Sequence, residues 1–79
     1  MEQNMTRDYT VIYERGGEGE ETWGAFVPDL PGCVSTGDTL EEVQQGIREA
    51  LELHIAGLVA EGLPVPEPGT EAEKVRIAA

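Results

Sequence analysis

The residues best suited to acid–base or nucleophilic chemistry are scarce in this sequence, because histidine and cysteine occur once each. His54 stands among apolar residues at helical spacing, which favours a structural role over a catalytic one. No serine, cysteine or carboxylate has a spacing that pairs it with His54 in an obvious way. Cys33 lies in a predicted short strand, where a lone cysteine is typically a small core residue. A single cysteine forms no internal disulfide and the sequence has no Cys/His cluster, so we expect no catalytic residue, no metal site and no cofactor.

Carboxylates are the abundant chemical group, with 16 acidic residues against 5 basic ones and a formal net charge of -11. Such a charge repels the phosphate backbone of nucleic acids, so we expect no direct nucleic-acid binding. It attracts a basic protein and accelerates the encounter with it. The alternative is that the charge serves solubility only. Seven carboxylates at a predicted turn, helix start and hairpin loop are the candidate partner-binding residues: Asp29, Asp38, Glu41, Glu42, Glu18, Glu20 and Glu21.

Three segments with strand-forming composition are expected to position these carboxylates. Residues 9–14 and 22–27 are rich in aromatic and β-branched side chains. The segment between them, residues 15–21, holds three glycines and three glutamates and predicts a hairpin loop. A Pro-Gly pair at residues 31–32 suits the centre of a type II turn, where glycine supplies the positive φ. A short third strand is then expected at residues 33–36.

The clearest local signal is the start of a helix. Thr39 and Glu42 have the spacing of a capping box, in which the threonine side chain accepts from the main chain and the glutamate reaches back. Apolar residues then recur mostly at spacings of three and four, and Leu53 and Val59 widen the apolar stripe. Gly62 suits the left-handed residue that ends a helix.

The C-terminal part is expected to return to the sheet. Residues 63–69 hold three prolines and predict a stiff, extended connector. Polar and apolar residues alternate from Lys74 to Ala78, which predicts a fourth strand. The element order is then β-β-β-α-β, an α+β fold with one sheet and one covering helix. Residues 1–8 are polar and are expected to form a flexible N-terminus, and residues 9–79 a single domain.

The order β-β-β-α-β is the first part of the ribonuclease H fold. Nucleases of that type gather two metal ions with carboxylates from the first strand, the helix and the fourth strand. Here the middle of the first predicted strand is Thr10, Val11 and Ile12, and residues 75–77 of the fourth are Val, Arg and Ile. Neither strand interior carries an acid, so we expect a partial ribonuclease-H-like fold that is not an enzyme.

Several segments together resemble the HicB antitoxin family, and the resemblance spans residues 9 to 78. Its most specific part combines the Pro-Asp-Leu-Pro-Gly-Cys run at residues 28–33 with the Gly-Asp-Thr run at residues 37–39. The resemblance implies a degraded, inactive ribonuclease-H-like domain that binds and masks HicA, a small basic toxin that cleaves messenger RNA. The segments that carry it are Tyr9 to Tyr13, Trp23 to Cys33, Gly37 to Glu42, Glu49 to His54 and Pro64 to Pro68.

The sequence departs from the longer members of that family, which carry a C-terminal DNA-binding domain, whereas this sequence stops at Ala79. We therefore expect a short member that does not repress transcription by binding DNA itself. The N-terminus lacks the apolar run of a signal peptide, so a cytoplasmic location is the default. A core this small needs support from a subunit interface, so we expect a homo-oligomer, either a dimer or a tetramer. The alternative function is a self-assembling orphan domain with a different ligand or partner.

Overall fold

The fold is a small sheet covered by one helix, in a computed structural model that describes residues 6–16 and 21–78. Its elements are β1 (Ile12–Arg15), β2 (Trp23–Phe26), β3 (Val34–Gly37) and α1 (Leu40–Ala60). The strands form one antiparallel sheet in the order β1-β2-β3. The α+β class predicted from the sequence, with one sheet and one covering helix, is confirmed.

Strand β1 begins three residues later than its composition predicts, at Ile12 instead of Tyr9. Ile12 pairs with Phe26 in the ladder, and this register places Thr10 opposite Pro28. Proline has no N–H to donate, so the ladder does not extend to this end. Tyr9 nevertheless packs against the hydrophobic core.

The turn between β2 and β3 forms as the Pro-Gly pair predicts. The N–H of Cys33 donates to the carbonyl of Leu30 over 3.0 Å, and Gly32 between them has a φ of 88°. Glycine adopts this conformation without steric cost. The turn carries Leu30, which is 1% exposed, into the core.

The core lies between α1 and the face of the sheet that carries Ala25. Its side chains come from β2, the β2–β3 turn and two positions four residues apart on α1. Cys33 is one of them, as predicted from its place in a short segment of strand-forming residues. The buried residues are Ala25, Val27, Leu30, Cys33, Val43 and Ile47.

Helix α1 ends at the predicted place, because Gly62 has a φ of 68° just after the C-cap residue. Its apolar stripe is narrower than expected. Leu53 and Val59 are 74% and 63% exposed, so the expectation that they widen the stripe is wrong. Ile55 packs against the core instead. The physical reason is that α1 contacts β2 and β3 but makes no close backbone approach to β1 within the described residues, so only a narrow face meets the sheet.

The fourth strand predicted at residues 74–78 does not form in the described part of the chain. Residues 71–78 have neither helical nor strand conformation, and all eight are exposed. A strand needs a hydrogen-bonding neighbour, and these residues pair with no described segment. The observed order is therefore β-β-β-α followed by an extended tail.

The connector after α1 is held against the segment that precedes β1. The Tyr9 hydroxyl donates to the carbonyl of Pro66, and Thr10 Oγ1 donates to the carbonyl of Thr70 over 2.6 Å. These bonds join residues that are 57 and 60 positions apart in the sequence. The first five residues of the predicted flexible N-terminus lie outside the described residues, and the division into an N-terminus and one domain stays a prediction.

Candidate partner-binding surface

One end of the sheet gathers carboxylates from two separate connections. The ladders pair Trp23 of β2 with Arg15 on one side and with Gly37 on the other. Glu21 just before β2 and Asp38 just after β3 therefore leave the sheet at the same end. Helix α1 begins at this end too. We call the four carboxylates Glu21, Asp38, Glu41 and Glu42 the acidic end; all four are exposed.

A concavity of about 390 Å³ opens at the acidic end. Glu21 and Asp38 line it together with Trp23. Exposed carboxylates in such a place can pair with a lysine or arginine from another protein. The concavity is therefore suited to a basic side chain. Its lining residues are Arg15, Glu21, Trp23, Asp38, Thr39 and Leu40.

The indole of Trp23 is held by a basic residue of the same hairpin. The guanidinium of Arg15 lies 4.9 Å from the centre of the Trp23 ring, within the range of a cation–π contact. Neither residue was predicted as part of the candidate site. Arg15 and Trp23 flank the predicted hairpin loop, and antiparallel pairing brings such flanking residues opposite each other. Their contact could therefore have been predicted from the hairpin.

The start of α1 has the predicted capping box. Thr39 Oγ1 accepts the N–H of Glu42 over 3.1 Å, and Glu42 Oε1 accepts the N–H of Asp38 over 2.9 Å. Glu42 is therefore occupied by a local bond. Glu41 lies in the first helical turn, where the helix dipole favours a negative charge. Within the acidic end, Glu21, Asp38 and Glu41 have no side-chain hydrogen bond to another described residue.

One of the seven predicted carboxylates, Asp29, is not brought to the acidic end. Asp29 lies beyond the opposite end of β2, in the turn that leads to β3. Its carboxylate accepts the N–H of Gly69 over 3.1 Å, and these bonds hold the pKa of Asp29 below its ordinary value of 3.8. The backbone and side chain of Thr70 also donate to it. Glu18 and Glu20 lie outside the described residues.

Cys33 and His54, the two residues considered for catalysis, lie in the core and on α1. Cys33 is 2% exposed, and burial raises the pKa of its thiol, which works against a nucleophilic thiolate. His54 is half-buried on α1. Among residues 6–16 and 21–78, no group of three or more His, Cys, Asp or Glu side chains could hold a metal ion. No helix in that part of the chain is both long enough and apolar enough to cross a membrane.

These features define a small α+β module whose candidate site is an exposed acidic surface rather than a catalytic cleft. The sequence model of a known family, described as the HicB-like antitoxin of bacterial toxin–antitoxin systems, matches residues 9–77. The chain belongs to this HicB-like antitoxin family.

Two curated relatives show how similar the chain is to other proteins. A UPF0150 protein from Synechocystis sp. is 50% identical over 60 residues, which cover 76% of this chain and 73% of that protein. A 14.9 kDa protein of Haemophilus phage HP1 is 36% identical over 59 residues. These cover 75% of this chain but 42% of the phage protein, so the chain spans less than half of that longer relative.

A solved structure has a similar fold. It is a chain of a complex titled "HicA3 and HicB3 toxin-antitoxin complex", with a TM-score of 0.64 and 30% sequence identity. The similarity covers 80% of this chain and 70% of the other.

Proposed function

We propose that this chain is an antitoxin that binds a small, basic, RNA-cleaving toxin of the HicA type and masks it. The observation that carries the proposal is the similarity to a chain from a HicA3–HicB3 complex, at 30% identity over 80% of this chain. Family membership over residues 9–77 supports the same role.

The acidic end is the surface that we propose for toxin contact. A single exposed ion pair contributes little, about 0–1 kcal/mol. Several carboxylates of one sign around an aromatic ring act differently, because their summed field steers a basic protein and orients it before contact. Glu21, Asp38 and Glu41 are free of side-chain bonds within the described residues, so they are available to a partner. Asp29 and Glu42 are less suited to this role, since both accept hydrogen bonds from their own chain.

The proposed role requires no catalysis by this chain. Binding of a basic protein over a surface excludes RNA from that surface without any reaction. The net charge of -11 supports contact with a basic protein rather than with nucleic acid directly. The same role places the chain in the cytoplasm, where messenger RNA is cleaved.

The test begins with a search of the neighbouring reading frames for a small basic protein of the HicA type, whose absence would favour the orphan domain. Co-expression with that protein follows, with measurement of binding and of RNA cleavage. We expect a complex at low salt, loss of cleavage when the chain is added, and an association rate that falls as salt rises. Replacing Glu21→Gln, Asp38→Asn and Glu41→Gln together should lower the association rate about tenfold at low salt.

A matched control makes the location of the surface testable. The triple variant Glu49→Gln, Glu52→Gln and Glu61→Gln removes the same charge from two exposed positions further along α1 and from its C-cap. We expect it to bind nearly as fast as the unchanged chain. Equal losses in both triple variants would show that only the total charge matters. A folded chain that forms no complex at low salt would contradict the antitoxin role and favour an orphan domain with another partner.

A further inference from the structure

The C-terminal tail, residues 71–78, is exposed over its whole length although part of it is apolar. Val75 and Ile77 are 67% and 72% exposed, and both are β-branched residues that favour strands. They alternate with Lys74 and Arg76, so in an extended tail Val75 and Ile77 share one face with Glu71 and Glu73, and the two basic residues lie on the other face. Residues 74–77 therefore have the alternation of a strand but no neighbouring strand to pair with.

The tail leaves the body of the protein beside the start of β1. Thr70 is the last anchored residue: its carbonyl accepts from Thr10 Oγ1, and its N–H and hydroxyl both donate to Asp29. The connector up to Thr70 is therefore held in place, while the tail has no hydrogen bond to another described residue.

The free edge of β1 is an open position for another strand. In the order β1-β2-β3, β1 has a neighbour on one side only within the described residues. Its other edge presents unpaired N–H and C=O groups, which are a template for an added strand. The outer edge of β3 is open as well, but α1 lies over β3 and β2 and leaves the β1 side uncovered.

A groove of about 640 Å³ lies where an added strand would place its side chains. It runs between the inner face of the β1 segment and the flank of α1. A strand beside β1 would direct Val75 and Ile77 into this groove and Lys74 and Arg76 to the opposite face, where Glu14 of β1 lies. The groove has a mixed lining. Its apolar side chains are Tyr9, Val11, Tyr13, Ile47 and Leu51, and its polar ones are Arg7, Asp8, Gln44 and Arg48.

The end of the tail differs in charge from the rest of the molecule, although the tail as a whole carries two acids, Glu71 and Glu73, and two bases. Residues 1–73 carry all 16 acidic side chains and 3 basic ones, a net charge of −13. The last six residues carry Lys74 and Arg76 and no acid. The end of the tail is therefore attracted to the body of any copy of this chain.

We propose that the tail of one copy adds as a strand to the free β1 edge of a second copy, and that the two copies exchange tails in a two-fold dimer. We favour the β1 edge of a second copy over the β1 edge of the same chain as the partner of the tail. The reason is that the tail is unpaired within the single chain although that chain's own β1 edge is free. Reciprocal exchange covers both edges and both grooves at once, as a closed two-fold interface requires. The dimer does not depend on a toxin, so this proposal can hold or fail independently of the antitoxin role.

Sedimentation equilibrium of the full chain at micromolar concentration tests the exchange. The unchanged chain should sediment as a dimer. The double variant Val75→Asp, Ile77→Asp should remain folded, because both residues are exposed in the single chain, and should weaken dimerisation about a hundredfold or more. The charge reversal Lys74→Glu, Arg76→Glu should weaken it less, and by an amount that shrinks as salt rises.

The control is the double variant Leu53→Asp, Val59→Asp, which makes the same chemical change at exposed positions of α1. It should leave the dimer intact. Hydrogen exchange of β1 should be slower in the dimer than in the tail variant. A dimer that persists unchanged in the tail variant would show that another surface joins the copies. A monomer with slowly exchanging tail amides would show that the tail pairs with its own β1, and a monomer with fast tail exchange would show that the tail does not pair. Each of these three results overturns the proposal.

Discussion

Asp29 and Thr70 are 41 residues apart in the sequence and are joined by two hydrogen bonds. The Thr70 hydroxyl donates to Oδ1 over 2.9 Å, and the Thr70 N–H donates to Oδ2 over 3.2 Å. Gly69 adds a second main-chain donor to the same carboxylate. This one side chain therefore fixes where the connector after α1 ends and where the C-terminal tail begins.

We expect the Asp29 contact to make stability depend on acid pH. The pKa of Asp29 is lowered in the folded state, chiefly by the N–H of Gly69, so its carboxylate stabilises the fold above the ordinary value of 3.8. That contribution is lost as pH falls through the lower, folded-state pKa. Urea midpoints measured between pH about 7 and about 3 should therefore fall less steeply in Asp29→Asn than in the unchanged chain.

The exposed Glu49→Gln variant controls for loss of one negative charge. Asp29→Asn should also lower the urea midpoint at neutral pH, because asparagine cannot replace a carboxylate that accepts from three donors. Parallel pH profiles for Asp29→Asn and the unchanged chain would show that the contact contributes nothing to stability.

Gly46 of α1 packs closely against Ser35 of β3. A Cβ at this position would lie 2.3 Å from Ser35 Oγ of β3, whereas a Cβ at Gly57 would meet no atom within 4 Å. Replacing a helical glycine by alanine gains about 1 kcal/mol from helix propensity. Gly57→Ala should therefore stabilise the protein by about that amount, and Gly46→Ala should gain less or destabilise it.

A double variant separates the contact from the propensity. Ser35→Ala removes the obstructing oxygen and leaves a Cβ at 3.5 Å, an ordinary contact distance. Gly46→Ala in the Ser35→Ala background should recover the gain seen at Gly57, measured by thermal or urea unfolding. If Gly46→Ala alone raises the free energy of unfolding as much as Gly57→Ala does, the contact between an alanine side chain at position 46 and Ser35 has no destabilising effect.

The capping box of α1 should be measurable by substitution of its two members. Thr39→Ala removes the acceptor for the N–H of Glu42 and should cost about 1 kcal/mol, whereas Thr39→Ser should be nearly neutral. Glu42→Gln keeps an oxygen for the N–H of Asp38, so it should cost less than Glu42→Ala. Equal free energies of unfolding for Thr39→Ala and Thr39→Ser would contradict this assignment.

Cys33 should be inert in the folded protein. It is 2% exposed, and burial raises its thiol pKa, so both access and thiolate fraction are reduced. Reaction with a disulfide reagent at neutral pH should be at least about a hundredfold slower in the native chain than in urea. A native rate close to the unfolded rate would mean that the core opens readily.

The acidic end was predictable in part. Asp38, Glu41 and Glu42 follow from a helix start that neighbouring residues define, and Glu21 follows from its place in a hairpin loop. The contact of Arg15 with Trp23 was not predicted, because it depends on the pairing of two strands across that loop. Asp29 was predicted as a partner contact, and its bonds to Gly69 and Thr70 became visible only in the folded chain.

The sequence by itself determined the elements that depend on interactions within a few residues. The turn at Gly32, the capping box at Thr39 and the end of α1 at Gly62 follow from main-chain geometry and local hydrogen bonds, and all three form as predicted. Tertiary structure decided which residues meet across longer separations. Leu53 and Val59 fit the helical pattern, but α1 meets only β2 and β3, so both stay exposed. The alternation at residues 74–78 is that of a strand, yet a strand exists only where an edge is available to pair with it, and no periodicity in the sequence specifies which edge that is.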